Sequence, residues 1–379
     1  MSTTAYLDAS NGPSADDQMP SYEEAIAERA PSISGSIRSL HLHDGTLPPS
    51  ILRLRNLGRT LGHNGPVTAI AISPKGYVAT SQDNAGTALP PSTKLWDFTS
   101  RPPAPTAARQ VASDIGTDAP VVVFSPDGKL AAVVEKDAGA KREWRVKLRA
   151  GEEGKGVRCI LNGVAGPAVF SGDGKMFAAA DPSGVVVVFE AASSPPGMPP
   201  TKRVAGVANH APPTHVLFMP NGTDLVTLSR DGTVRISEAR TGRTLRRMEV
   251  DGVATGAGTG ARALGVSPDG RVIVSVWPRA VYAWEHEAGR VSSWELNKVR
   301  GNEGWPLAVS PDCRFLACRT EDGMDVSDVY SGHVLAEVRT AAGIDGLVTA
   351  AAFSADGNTM AVGRYTGVVD VWSLAPFGD

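Results

Sequence analysis

The chain has 379 residues, 42% hydrophobic and 20% charged, and its 41 Gly and 28 Pro favour many short strands over long helices. A formal net charge of -3 excludes a global electrostatic pull towards nucleic acid or anionic membrane. Three cysteines (Cys159, Cys313 and Cys318) make an odd set without zinc spacing, and no run approaches the roughly 18 apolar residues of a membrane span. The first residues lack a basic end followed by an apolar run, so no secretory signal is expected. The expectation is a soluble protein of a reducing compartment, cytoplasmic or nuclear.

In chain order, residues 1–50 show no apolar periodicity and are rich in Ser, Pro, Gly and Asp, which predicts a disordered tail. Within it, Met19-Pro20-Ser21-Tyr22 resembles the Pro-Pro-x-Tyr ligand of WW domains, with Met19 in place of the first Pro. Tyr22 would fill an aromatic groove while Pro20 presets an extended backbone. An ordinary tail with a nascent helix over Glu23–Arg29 accounts for the same residues. Ser32, Ser34, Ser36 and Ser39, close to Arg38, are candidate phosphorylation sites.

After an isolated apolar stretch, Ile51–Leu61, a phrase begins to recur: an apolar residue followed by Ser-Pro-Asp-Gly or a relative. It occurs as Ile72-Ser-Pro-Lys-Gly76, Phe124-Ser-Pro-Asp-Gly128, Phe170-Ser-Gly-Asp-Gly174 and Phe218-Met-Pro-Asn-Gly222. It returns as Val266-Ser-Pro-Asp-Gly270, Val309-Ser-Pro-Asp-Cys313 and Phe353-Ser-Ala-Asp-Gly357. Ser, Pro and Gly in these places suit a type I turn, because Pro presets φ and Gly tolerates the exit. A short apolar strand precedes each turn and another follows it, so each phrase predicts a hairpin. A third strand follows in every unit, such as Thr93–Trp96, Val185–Phe189 or Val368–Trp372. A fourth is readable as Arg243–Val250, Val291–Leu296 and His333–Val338.

Seven units of about 45 residues with four strands each predict an all-β, seven-bladed β-propeller with antiparallel blades. The last unit ends after its third strand, and the spare stretch before the first unit supplies the missing fourth. This N-terminal strand would close the ring and remove the free sheet edge. The boundaries expected are a tail over 1–50, a propeller over 51–374 and a C-terminal tail over 375–379.

These motifs resemble the WD-repeat family. Unit one carries the fullest match, with Gly62-His63 ahead of its first strand and Leu95-Trp96-Asp97 ending its third. The resemblance implies that His63, Ser81, Asp83 and Trp96 form a structural hydrogen-bond network. Unit four is similar through His210, Ser229 and Asp231, although Ser237 stands where Trp is expected. Units five and seven keep Trp284 and Trp372, while the other units lack the Trp-Asp pair. The likeness lies in period and turns more than in the name-giving dipeptide. Both histidines are expected to serve structure, since a buried imidazole needs partners.

Signals for chemistry are sparse. Gly151–Gly156 lacks phosphate-loop spacing and a following helix, and Gly256–Gly260 leads into a strand rather than a helix. Glu285-His286-Glu287 lacks the second His of a metalloprotease helix, and His41–Asp44 lies in the tail. No metal, cofactor or catalytic residue is therefore expected. Arg145, Lys147 and Arg149 alternate with Trp144, Val146 and Leu148, placing charge on one side of a strand; a solvated blade face explains them as well as an acidic partner does. In WD-repeat propellers the loops entering the first strand and joining second to third strands share one face. Trp277, Arg279, Trp305, Arg319, Arg364 and Tyr365 fall there in the neighbouring units five to seven. Trp, Tyr and Arg dominate interface energetics, so these six are candidate partner contacts, with inter-blade packing the alternative for Trp277 and Trp305.

The function expected is a non-catalytic interaction scaffold or adaptor, a monomeric ring working within a larger protein complex. Two alternatives are a propeller enzyme with a site at the central channel, or an adaptor recruited by a WW-domain protein through the tail. The first strands contribute only His215 towards channel chemistry. A phosphoinositide-binding propeller is matched only by Leu245-Arg246-Arg247, where Met248 replaces the expected Gly.

Overall fold

The computed structural model describes residues 52–82, 92–98, 109–112, 121–136, 144–150, 155–164, 166–191, 203–207, 211–250, 260–296, 305–340 and 343–376. The tail motif at Pro20 and Tyr22, together with Asp83 and His210, lies outside these residues. Among the described residues the structure is all β apart from a short 3-10 turn at Ile344–Gly346.

Strand β1 (Leu52–Leu61) precedes seven sets of strands. Blade one holds β2 (Val67–Ile72), β3 (Tyr77–Gln82), β4 (Ser92–Asp97) and β5 (Arg109–Ala112). Blade two holds β6 (Val121–Phe124), β7 (Leu130–Lys136), β8 (Trp144–Ala150) and β9 (Lys155–Asn162). Blade three holds β10 (Ala168–Phe170), β11 (Met176–Ala180), β12 (Val186–Glu190) and β13 (Arg203–Val207). Blade four holds β14 (Pro213–Phe218), β15 (Asp224–Ser229), β16 (Thr233–Glu238) and β17 (Thr244–Glu249). Blade five holds β18 (Ala263–Val266), β19 (Val272–Val276), β20 (Ala280–Glu285) and β21 (Arg290–Glu295). Blade six holds β22 (Trp305–Val309), β23 (Phe315–Thr320), β24 (Gly323–Asp328) and β25 (Val334–Arg339). Blade seven holds β26 (Val348–Phe353), β27 (Thr359–Arg364) and β28 (Val368–Pro376), and takes β1 as its fourth strand.

Each blade is a four-stranded antiparallel sheet, and the first strands of successive blades lie side by side until β26 returns to β2. The closing pair runs from Leu52 opposite Pro376 to Leu61 opposite Val368, with a bulge between Asn56 and Gly58. The propeller therefore reaches Pro376, two residues past the boundary expected at 374. The fourth strands expected over Arg243–Val250, Val291–Leu296 and His333–Val338 correspond to β17, β21 and β25.

The seven turns explain the repeat in atoms. In blade two the Ser125 hydroxyl donates to Asp127 Oδ1 at 2.8 Å and accepts from the Leu130 N–H at 2.9 Å. The Gly128 N–H closes the turn on the Ser125 carbonyl at 2.9 Å. The same arrangement is built by Ser171, Ser267, Ser310 and Ser354 with Asp173, Asp269, Asp312 and Asp356. In blade six the fourth turn position is Cys313, held at φ 59° where the other turns have glycine, and its buried thiol packs against the blade five core.

The apolar interior is divided among seven clusters in the described residues, each lying between two adjacent blades. On β11, Phe177 and Ala179 face blade two while Met176, Ala178 and Ala180 face blade four. Alternation puts successive side chains on opposite faces, and here both faces are covered. This is why strands such as Val186–Val188 are apolar without a break. Close approach is tightest between blades seven and one, where a Cβ added to Gly363 would lie 2.5 Å from Val67 Cγ1.

Candidate functional site

The expected hydrogen-bond network of blade one centres on a residue that sequence reading passed over. His63 Nε2 and Trp96 Nε1 both meet the Thr80 hydroxyl at 2.8 Å, and all three side chains are buried. Since the indole can only donate, Thr80 Oγ1 accepts from Trp96. Ser81, next along β3, points to the other side and bonds Thr93 at 3.1 Å. Burial, and secondarily the charge of Lys94, lowers the pKa of His63 to about 4, so the ring is neutral at pH 7.

Register comparison shows how blades four, five and seven differ from blade one at this clip. Trp96 lies opposite Val78, and Thr80 follows two residues later on the same strand. The corresponding residues opposite and two further on are Leu225 and Thr227 in blade four, Ile273 and Ser275 in blade five, and Met360 and Val362 in blade seven. Blade seven thus has an indole, Trp372, opposite Met360 but a valine where the hydroxyl belongs, and Trp372 Nε1 is buried without a partner. Blade four has the hydroxyl of Thr227 but Ser237 instead of the indole. Ser229 and Ser237 are buried there with unpartnered hydroxyls, and Asp231 caps its own turn by accepting from the Thr233 N–H at 3.0 Å.

The six candidate partner contacts separate into two groups. Trp277 is 3% exposed, packs between blades four and five, and donates to Ser275 Oγ at 3.2 Å. Arg364 is also buried, and its guanidinium pairs with Asp370, which is fully enclosed. Arg59 on β1 reaches the other oxygen of Asp370 at 2.5 Å. These residues join three strands of the closing blade; Trp277 and Arg364 present no side chain for a partner to grip. The β19–β20 connection turns Trp277 inward, and an acid on β28 draws Arg364 in.

The second group reaches solvent. Arg279 is exposed and Tyr365 is 40% exposed. Trp305 and Arg319 are half-buried opposite one another at the start of β22 and near the end of β23. Trp305 is flanked by two guanidiniums, with Arg319 Cζ at 5.1 Å and Arg262 Cζ at 3.8 Å from the ring centroid. Arg262, directly before β18, was missed in sequence although it satisfies the same loop rule as the others. Burial lowers the pKa of both arginines, and for Arg262 the charge of Arg319 adds to it.

Two apolar residues on this face also escaped sequence reading. Leu61 is 67% exposed at the end of β1, and Ile344 is 59% exposed in the 3-10 turn. The Tyr365 N–H donates to the Leu347 carbonyl at 2.8 Å, and Gly62 N–H to the Gly367 carbonyl at 2.9 Å. These bonds bring the Ile344 turn, the Tyr365 hairpin and the end of β1 to one corner of blade seven. Gly367 at φ 82° is needed there, because a Cβ would lie 2.0 Å from the His63 carbonyl oxygen.

Among inner-strand residues, His215 Nδ1 lies 3.1 Å from the Thr214 hydroxyl, and burial lowers its pKa. On β8, Val146 and Leu148 are buried while Arg145, Lys147 and Arg149 are half-exposed, as alternation requires. Among the described residues no helix is long and apolar enough to cross a membrane. No family model matches the chain, and no curated protein matches it.

Proposed function

We propose that the chain is a WD-repeat-type, non-catalytic scaffold that engages other proteins through the loop face of blades five to seven. The observation that carries this reading is the corner of blade seven, where Leu61, Ile344 and Tyr365 are exposed on segments bonded to one another. Single exposed apolar residues are ordinary; three on segments bonded to one another are the feature on which this reading rests. Arg279 and the Trp305 group extend the same face across the two preceding blades. Tyr and Arg at such a surface are the residue types that contribute most when desolvated by a partner.

The non-catalytic part of the proposal rests on composition at the channel, where His215 is the one titratable side chain of the first strands. The test is affinity capture with the full chain, comparing the wild type with Ile344→Ser/Tyr365→Ala. Leu245→Ala, on the exposed outer strand of blade four, serves as the control. Loss of specific partners in the double variant alone supports the reading. An unchanged partner set with native thermal stability in all three proteins refutes it.

A further inference from the structure

The arrangement around Trp305 goes further than a generic interface. Arg319 is half-buried, and among the described residues its guanidinium has neither a hydrogen bond nor an ion pair; its contact is with the Trp305 ring. A second guanidinium, from Arg262 of the neighbouring blade, stacks on the same indole at 3.8 Å. Two like charges thus share one aromatic platform. Cation–π attraction holds each to the ring, but it leaves the in-plane N–H groups of Arg319 without an acceptor. A guanidinium stacked by its face presents its donor edge, and that fork fits the paired oxygens of a carboxylate or phosphoryl group.

We propose that Arg262, Trp305 and Arg319 form a cradle for an oxyanion, carboxylate or phosphoryl, carried by a partner polypeptide. The anion would sit at the donor edge of Arg319 and within the field of Arg262, relieving the repulsion between them. The depressed pKa values of both arginines agree with this, since burial opposes the protonated form of each and the charge of Arg319 adds to it at Arg262. The half-buried setting makes each charge-assisted bond stronger than at an open surface. Trp305 positions the cradle rather than contacting the anion through hydrogen bonds.

This proposal rests on the loop face being the partner surface, but it is tested with small anions so that the two can fail separately. The full chain is labelled with 5-fluorotryptophan, and the Trp305 resonance is assigned through Trp305→Phe. Inorganic phosphate, O-phosphoserine and N-acetylglutamate are titrated at constant ionic strength set with chloride. The expected result is a saturable shift of the Trp305 resonance, with the other six tryptophans unmoved as an internal check of folding. Arg319→Gln should weaken binding at least tenfold. Arg319→Lys, which keeps the charge but loses the fork, should weaken it less. A tenfold preference for O-phosphoserine over N-acetylglutamate would assign the source as a phosphorylated segment, and the reverse order an acidic one. A shift that follows chloride alone, or saturation that survives in Arg319→Gln, overturns the proposal. Preferential displacement of O-phosphoserine by a short RNA would overturn its polypeptide half.

Discussion

The closing blade offers the sharpest test of how the ring is held. Asp370 is fully buried on β28, and it joins Arg364 of β27 to Arg59 of β1. The two arginines differ in setting: the Arg364 side chain is 8% exposed and that of Arg59 is 58% exposed. An exposed pair contributes about 0–1 kcal/mol. Breaking a buried pair by removing one partner costs about 3–5 kcal/mol, because the remaining charge stays buried. Asp370→Asn preserves shape and one acceptor, so its cost should fall near the lower end, about 3 kcal/mol. With about 2.1 cal/mol/K per residue of unfolding entropy over the ring, this corresponds to a fall in Tm of roughly 4–5 °C.

The assay is urea unfolding followed by tryptophan fluorescence for Asp370→Asn, Arg364→Met, Arg59→Ala and the double variant Asp370→Leu/Arg364→Met. Arg59→Ala should cost less than about 1 kcal/mol. The double variant should recover most of the single-variant loss, since a well-packed apolar pair avoids desolvating charge. If Asp370→Asn costs under about 1 kcal/mol, or the double variant is worse than either single one, the buried pair does not hold the closure and the reasoning fails.

Four further outcomes follow from the same geometry. His63 titrates at about 4 when folded against an ordinary 6.5, so the unfolded chain binds more protons between those values and stability falls as pH drops through that window. The loss should be on the order of 3 kcal/mol by pH 4 and absent in His63→Gln, as read by urea midpoints at pH 7 and 4.5. Trp96→Phe removes the indole donor to Thr80, which keeps its bond to His63, and should cost about 1 kcal/mol by calorimetry, whereas Trp372→Phe removes an unpartnered N–H and should cost less. Burial raises the thiol pKa of Cys313 and Cys318 to about 12, so in Cys159→Ser neither should react with a disulfide reagent at pH 8 until urea unfolds the chain. Gly363→Val should lower the yield of folded protein and the Tm, because its side chain would occupy space held by Val67; an unchanged Tm would mean blade seven can move away from blade one.

The parts of the fold that could be read from sequence are those whose physics is local. A Ser, an Asp and a Gly within a few residues build the turn, and the seven turns reveal period, blade number and hairpin register together. The closing strand was readable for a related reason: the seventh unit stops after its third strand, and a spare apolar stretch stands before the first unit. The outer strands carry a weaker signal than the turns, because a strand with one partner needs little apolar pattern. The candidate site was half readable. A loop-position rule finds Trp305, Arg319 and Tyr365, but it cannot show that Trp277 turns inward to Ser275. Nor can it show that Arg364 is drawn to Asp370, since its place in that cluster depends on Arg59, 311 residues from Asp370 in sequence.

The uneven survival of the Trp clip follows from the same distinction between local and two-strand demands. The turn motif is complete within one hairpin, so a blade that has the three residues has the turn. The clip needs a hydroxyl on the second strand, an indole on the third and a histidine from the loop before the first; both bonds meet at the hydroxyl, so its loss removes both, whereas loss of the indole or the histidine removes one. Blade seven keeps the indole with Val362 in the hydroxyl position, and Trp372 acts there as apolar filling between blades six and seven. Blade five keeps both indole and hydroxyl, yet Ser275 accepts from Trp277 instead. Since each blade is covered on both faces by its neighbours, lateral packing maintains strand spacing without the clip. Blade one is where the clip is needed most. The residues leading into its first strand also bond the Gly367 hairpin of blade seven through the Gly62 and His63 N–H groups, so fixing His63 fixes the seam where the ring closes.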